Sequence, residues 1–143
     1  MQDLEKAKKH LNEKNLTLSI VKNNETIFET KSHGISGFLE AIGKLADSLN
    51  GASIADKIVG KAIALLCVYA RVKAVYAVTL SKQAKSVFEQ HSIYHKWENL
   101  AENTLDINKT ASCPFEKLAT KISNPKDAYL KLKALQNSLK NSR

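Results

Sequence analysis

One run constrains this chain more than any other: Val72 to Leu80, reading VKAVYAVTL. It is β-prone almost without interruption, the pattern of a strand buried on both faces; a half-solvated strand alternates instead. A strand covered twice needs helices on both sides of its sheet, so this run points to a layered α/β protein.

The flanking sequence supplies the other layers. Asp3 to Glu13 places Leu4, Ala7 and Leu11 on one helical face. Leu16 to Lys22 and Glu25 to Lys31 read as two strands joined at Asn23-Asn24, a pair that tolerates the positive φ of a tight turn. A helix is expected from Ile35 to Leu49, stopped by Asn50-Gly51. Ser53 and Asp56 have capping-box-like spacing, so a second helix is expected to open at Ser53 and to become apolar on nearly every side from Ala62. Ser81 caps a further helix from Lys82 to about His91, and Ile93 to Asn99 reads as the next strand. Residues 100–112 are polar and irregular. Pro114 sits at the favoured first position of another helix, and Asn124-Pro125 separates it from a final amphipathic one. The expected fold is α/β, with three α/β/α layers and a mixed sheet of four or five strands starting with an antiparallel hairpin. With 143 residues, no repeats and no linkers, residues 1–143 are expected to form one domain.

Composition excludes several classes. No apolar run approaches the roughly 18 residues of a membrane span, and Ala62 to Ala70 is the longest candidate. The first ten residues, MQDLEKAKKH, carry charge from the third position and so lack the apolar region of a secretory leader. Two cysteines, Cys67 and Cys113, make no disulfide framework, and Cys67 within IALLCVYA reads as a small buried hydrophobe. A cytoplasmic chain without a membrane partner is expected. The formal charge of +8 raises the question of nucleic acid. However, the excess is spread lysine rather than clustered arginine, which supplies the bidentate forks of base and phosphate recognition. A solvated surface accounts for it more simply.

Three segments carry a resemblance: GASIADKIVGKA (Gly51 to Ala62), VKAVYAVTLS (Val72 to Ser81) and CPFEKL (Cys113 to Leu118). Their order, with the motifs D-K-x-x-G-K and C-P-x-E, resembles a small prokaryotic family of unknown function assigned to the cytidine-deaminase-like superfamily. The resemblance spans roughly Leu4 to Asn137. It implies a sheet of four or five strands flanked by helices. Zinc deaminases hold their metal with a His or Cys two residues before a catalytic Glu, plus a P-C-x-x-C motif after the third strand. This chain has no H-x-E or C-x-E triplet, and Leu80-Ser81-Lys82-Gln83-Ala84 stands where the cysteines would be. No metal site and no cofactor are therefore expected.

What the resemblance implies is a pocket equivalent to the deaminase active site. Ser53, Asp56, Lys57, Gly60 and Lys61 would bind the ligand, and Cys113 and Glu116 would be its reactive pair. On the expected helix Lys57, Gly60 and Lys61 share a face, and a mid-helix glycine costs about 1 kcal/mol against alanine. Lysines near a helix N-terminus suit a small anionic or nucleotide-like ligand. The plainer reading has Asp56 capping the helix, the lysines in solvent, and Gly60 permitting close packing. Cys113 before Pro114 would sit at a helix start, where N–H groups stabilise a thiolate, or it could simply cap. An enzyme using Cys113 as nucleophile or redox thiol is the alternative, and a nucleic-acid module using the basic termini is the second. A homodimer stays open. His91 and His95 form H-x-x-x-H, but a helix-to-strand turn between them should make them diverge.

Overall fold

The computed structural model describes residues 2–32, 35–102 and 114–141. Helix α1 (Gln2–Glu13) leads into strands β1 (Leu18–Lys22) and β2 (Glu25–Thr30), then helix α2 (Ile35–Leu45). Strand β3 (Ser53–Val59), helix α3 (Lys61–Ala70), strand β4 (Ala74–Ser81), helix α4 (Lys82–Gln90) and strand β5 (Tyr94–Ala101) alternate after it. Helices α5 (Pro114–Ala119) and α6 (Pro125–Asn141) complete the described chain.

The hairpin forms as the sequence predicts. Asn23 and Asn24 take φ of 52° and 66°, and Lys22 pairs with Glu25 across them. The Asp3 carboxylate accepts both asparagine N–H groups at 3.0 and 2.9 Å, which fastens α1 to the turn. The five strands lie in the order β2-β1-β3-β4-β5. β1 is antiparallel to β2 and β3, whereas β3, β4 and β5 run parallel.

Both faces of this mixed sheet are covered. On one, Leu4, Ala7 and Leu11 of α1 pack against Val21, Ala55, Ala74 and Tyr76. On the other, Phe38 of α2, Leu65 and Leu66 of α3 and Phe88 of α4 pack on Ile20, Ile54, Val75 and Ala77. Ala128 and Leu132 of α6 join this second layer, and α5 contributes Ala119. The three-layer architecture with a leading hairpin is the one expected. β4 is buried along Ala74 to Ala77 and again at Leu80 and Ser81, as its sequence requires.

One element is corrected. Ser53 does not open a helix; residues 53–59 are strand β3, and α3 begins only at Lys61. The capping-box spacing is local, whereas the strand is fixed by ladders on both sides. Ile54 pairs with Ile20 in β1 and with Val75 in β4, and its side chain is fully buried. Ile54, Ile58 and Val59 are β-branched and favour this state. From Ala62 to Cys67 every residue of α3 is buried, as expected of its all-round apolar sequence. The helix expected to reach Leu49 changes at its end: α2 stops at Leu45, Ala46 takes a left-handed φ of 46°, and Ala46–Leu49 form a 3₁₀ turn.

Candidate functional site

The parallel strands β3 and β4 end side by side, Val59 beside Leu80, and each feeds a helix. The two helix starts therefore lie together at the carboxyl ends of the strands. A helix start presents N–H groups without internal partners and a positive partial charge. α4 meets this need itself: Ser81 is buried and its Oγ accepts from Ala84 N at 3.0 Å. α3 does not. Its N-cap is Gly60, in ordinary extended backbone (φ −101°, ψ −175°), with no side chain to cap the helix. The missing acceptor comes from α5, where Glu116 Oε1 takes the Ala62 N–H at 3.2 Å from 54 residues away.

The expected ligand residues divide among three places. Gly60 and Lys61 stand at the start of α3, and Glu116 joins them there. Asp56 and Lys57 lie earlier on β3 and face opposite sides of the sheet. Lys57 reaches Asn15 Oδ1 at 2.8 Å, at the end of α1. It does not share a helix face with Lys61; this is a direct consequence of β3 being a strand. Ser53 is buried at the far end of β3, about 20 Å of strand away from Val59. It lines a separate cleft of about 390 Å³ with Gln2, Asp3 and Lys73. Cys113 lies outside the described residues.

Asp56 is no helix cap either. Its carboxyl is buried against the helix layer, with Oδ1 accepting from Ile58 N at 3.3 Å. Burial pushes its pKa up to about 7, against the backbone N–H groups of Ile58 and Lys57, which pull it down. Cys67 of α3 faces it: burial, and then the charge of Asp56, push the thiol well above its usual value. A buried thiol so held is inert rather than nucleophilic. The sequence shows Cys67 as a hydrophobe but not the effect of Asp56 on it, because nothing local marks an aspartate within a strand as buried.

The histidines diverge as expected. His91 closes α4, while His95 on β5 places Nδ1 2.8 Å from Ile93 O and its ring against Phe88 and Trp97. Among the described residues no group of three or more His, Cys, Asp or Glu side chains is placed to hold a metal ion. No described helix is long and apolar enough to cross a membrane. A second cleft of about 540 Å³ lies at the opposite end of α3. Tyr69 and Tyr129 stack there at 4.5 Å, with Arg71, Lys133 and Asp47 around them.

Fold and site together define a three-layer α/β protein whose two parallel-strand crossovers converge on a pair of helix starts. The chain belongs to the family described as TM1506, a domain of unknown function (DUF1893), which it matches over residues 6–136. Among solved structures it is similar to a DUF1893 family protein (TM1506) from Thermotoga maritima. That likeness has 26% identity and a TM-score of 0.82, and covers 93% of this chain and 89% of the other. A likeness to RibD of Acinetobacter baumannii is much slighter, at 19% identity and a TM-score of 0.45, over 84% of this chain and 38% of that one. No curated protein matches the chain.

Proposed function

We propose that this chain is a ligand-binding protein in which residues 1–143 act as one domain and hold a small anionic, nucleotide-like molecule at the start of α3. The hydrogen bond from Ala62 N to Glu116 Oε1 carries this reading. It joins Ala62, the residue that follows D-K-x-x-G-K, to Glu116 of C-P-x-E, and these are the two motifs through which the sequence resembles a zinc-less deaminase-like family. A carboxylate oxygen at this helix start supports an anionic group as what it would accept. Lys61, the first residue of α3, adds a cation beside it. The phosphate of the ligand would take the α3 amides and Lys61, either alongside the Glu116 carboxylate or in its place. Lys57 plays no part, being engaged with Asn15.

A thermal-shift screen with nucleoside monophosphates, the matching nucleosides and sugar phosphates tests the proposal. A ligand at 100 times its Kd stabilises by about 2.7 kcal/mol, a rise on the order of 3–6 °C for this size. The rise should appear with phosphorylated ligands, vanish in Lys61→Ala, and persist in Lys57→Ala. A flat response across the panel, or a rise indifferent to Lys61, overturns it.

A further inference from the structure

Strand β5 is the outer edge of the sheet, and its outer side pairs with no described strand. It reads Tyr94-His95-Lys96-Trp97-Glu98-Asn99-Leu100-Ala101. Three large apolar side chains on it stand open to solvent, Tyr94 at 41%, Trp97 at 36% and Leu100 at 40%. Proteins usually blunt such an edge with a bulge, a proline or a cover, because it is a template for another strand. β5 has neither of the first two. Its pairing with β4 keeps one register from Ala74↔Tyr94 to Ser81↔Ala101, so the edge is regular along its whole length.

Strand alternation sets the faces. Tyr94, Lys96, Glu98 and Leu100 share the face that carries α1, where Glu98 Oε1 accepts from Tyr76 OH at 3.0 Å and meets Lys8 at 3.7 Å. His95, Trp97 and Asn99 share the other, with His95 stacked on Trp97. About Trp97 the strand is a charge palindrome, apolar and cationic on one side, anionic and apolar on the other.

We propose that β5 pairs antiparallel with β5 of a second copy of this chain, with the two-fold axis at Trp97, joining two five-stranded sheets into one. In that register Lys96 lies opposite Glu98 of the partner subunit and Glu98 opposite Lys96 of the partner subunit. On the same face Tyr94 meets Leu100 of the partner subunit, and on the other Trp97 meets the partner subunit's Trp97. Cross-strand neighbours of this kind, aromatic with aliphatic and opposite charges together, are what stabilise a sheet. The symmetry also selects the register. A two-fold axis perpendicular to the sheet pairs residues of the same face, so the nearest alternatives centre on Lys96 or on Glu98. They would set Lys96 against the partner's Lys96, or Glu98 against the partner's Glu98. Only the axis at Trp97 matches every charge. Both existing contacts of Glu98 use Oε1, so neither must break. This surface is independent of ligand binding at α3.

Sedimentation and light scattering of the full chain test the proposal through charge reversal. Wild type should be a dimer. Lys96→Glu sets four carboxylates along the seam and should weaken the dimer by about tenfold or more. Glu98→Lys should do the same with four ammonium groups, and the double reversal should restore the dimer. An equimolar mixture of the two single variants should form a heterodimer, since every opposed pair then attracts. Trp97, the only tryptophan of the chain, reports the same step by a blue shift of its emission on association. Should Glu98→Lys lose its fold through the Tyr76 contact, the exposed Lys96→Glu variant decides alone. A monomeric wild type, or a dimer indifferent to Lys96→Glu, overturns the proposal.

Discussion

Glu116 Oε1 accepts the N–H of Ala62 at 3.2 Å, so a carboxylate from α5 caps a helix that begins 54 residues earlier. Gly60 makes this necessary by offering no cap of its own. Removing the acceptor leaves a helix start without its anion. Glu116→Ala should cost about 1 kcal/mol, the usual worth of an N-cap, and Glu116→Gln less, since its amide oxygen still accepts. Denaturant midpoints of the two variants check the ranking. No loss in Glu116→Ala would show that the cap adds nothing to the fold, and equal losses would show that it depends on the carboxylate charge.

Asp56 makes the stability of the fold depend on pH. Burial holds Asp56 at about 7, above its ordinary 3.8. The native state thus binds the proton more tightly than the unfolded chain. The stability this contributes is fully present below about pH 4 and is lost as pH rises to about 7. Above that, wild type folds around a buried carboxylate, and Asp56→Asn does not. The stability of Asp56→Asn relative to wild type should therefore climb across this window, on the order of 4 kcal/mol if the whole shift is expressed, and level off above about pH 8. Unfolding midpoints of both proteins at stepped pH give the difference directly. A constant difference, or one that falls with pH, contradicts the burial of this group.

Gly37 faces a third test. A Cβ built on it would stand 2.7 Å from Thr30 Cγ2, and Thr30 is pinned because its Oγ1 accepts from Ser32 N at 3.1 Å. Alanine gains roughly 1 kcal/mol over glycine within a helix, but overpacking costs roughly 1–3 kcal/mol. Gly37→Ala should therefore be destabilising in wild type. In a Thr30→Ser background, which removes the methyl and keeps the hydroxyl, the same change should become stabilising. The reversal of sign in a double-mutant cycle is the decisive reading.

Ser19 carries the one buried side-chain polar atom without a hydrogen-bond partner among the described residues. It lies opposite Ala55 on the face that α1 covers. Ser19→Ala removes a hydroxyl with nothing to bond and should raise stability by about 1 kcal/mol. A loss on thermal or chemical unfolding would mean that the hydroxyl is engaged after all.

The layers of this fold are legible in the sequence where one local signal decides them. Asn23-Asn24 alone specifies the hairpin turn, and the nearly continuous β-prone run of β4 requires covers on both faces. β3 is where local reading fails. Ser53 and Asp56 have the spacing of a helix cap, and Lys57, Gly60 and Lys61 the spacing of a helix face, so the segment imitates a helix start. Its apolar residues, Ile54, Ala55, Ile58 and Val59, sit between Gly51 and Gly60 at strand length, and that was the available signal. Two ladders outweigh one cap, and the true helix starts after Gly60.

The misplaced strand explains the divided site. With β3 extended, adjacent residues face opposite ways, so Asp56 enters the helix layer while Lys57 turns to Asn15. The meeting of Glu116 with Ala62 is a long-range contact that no periodicity encodes. Only the resemblance places both motifs in one family pattern.

Backbone amide spectra, recorded while a nucleoside monophosphate is titrated into the labelled protein, test the central claim most directly. Saturable shifts should concentrate at Gly60, Lys61, Ala62 and Glu116, and Lys61→Ala should abolish them. Shifts centred instead on Arg71, Tyr129 and Lys133 in the opposite cleft, or no saturable shift with any phosphorylated ligand, would contradict a ligand site at the start of α3.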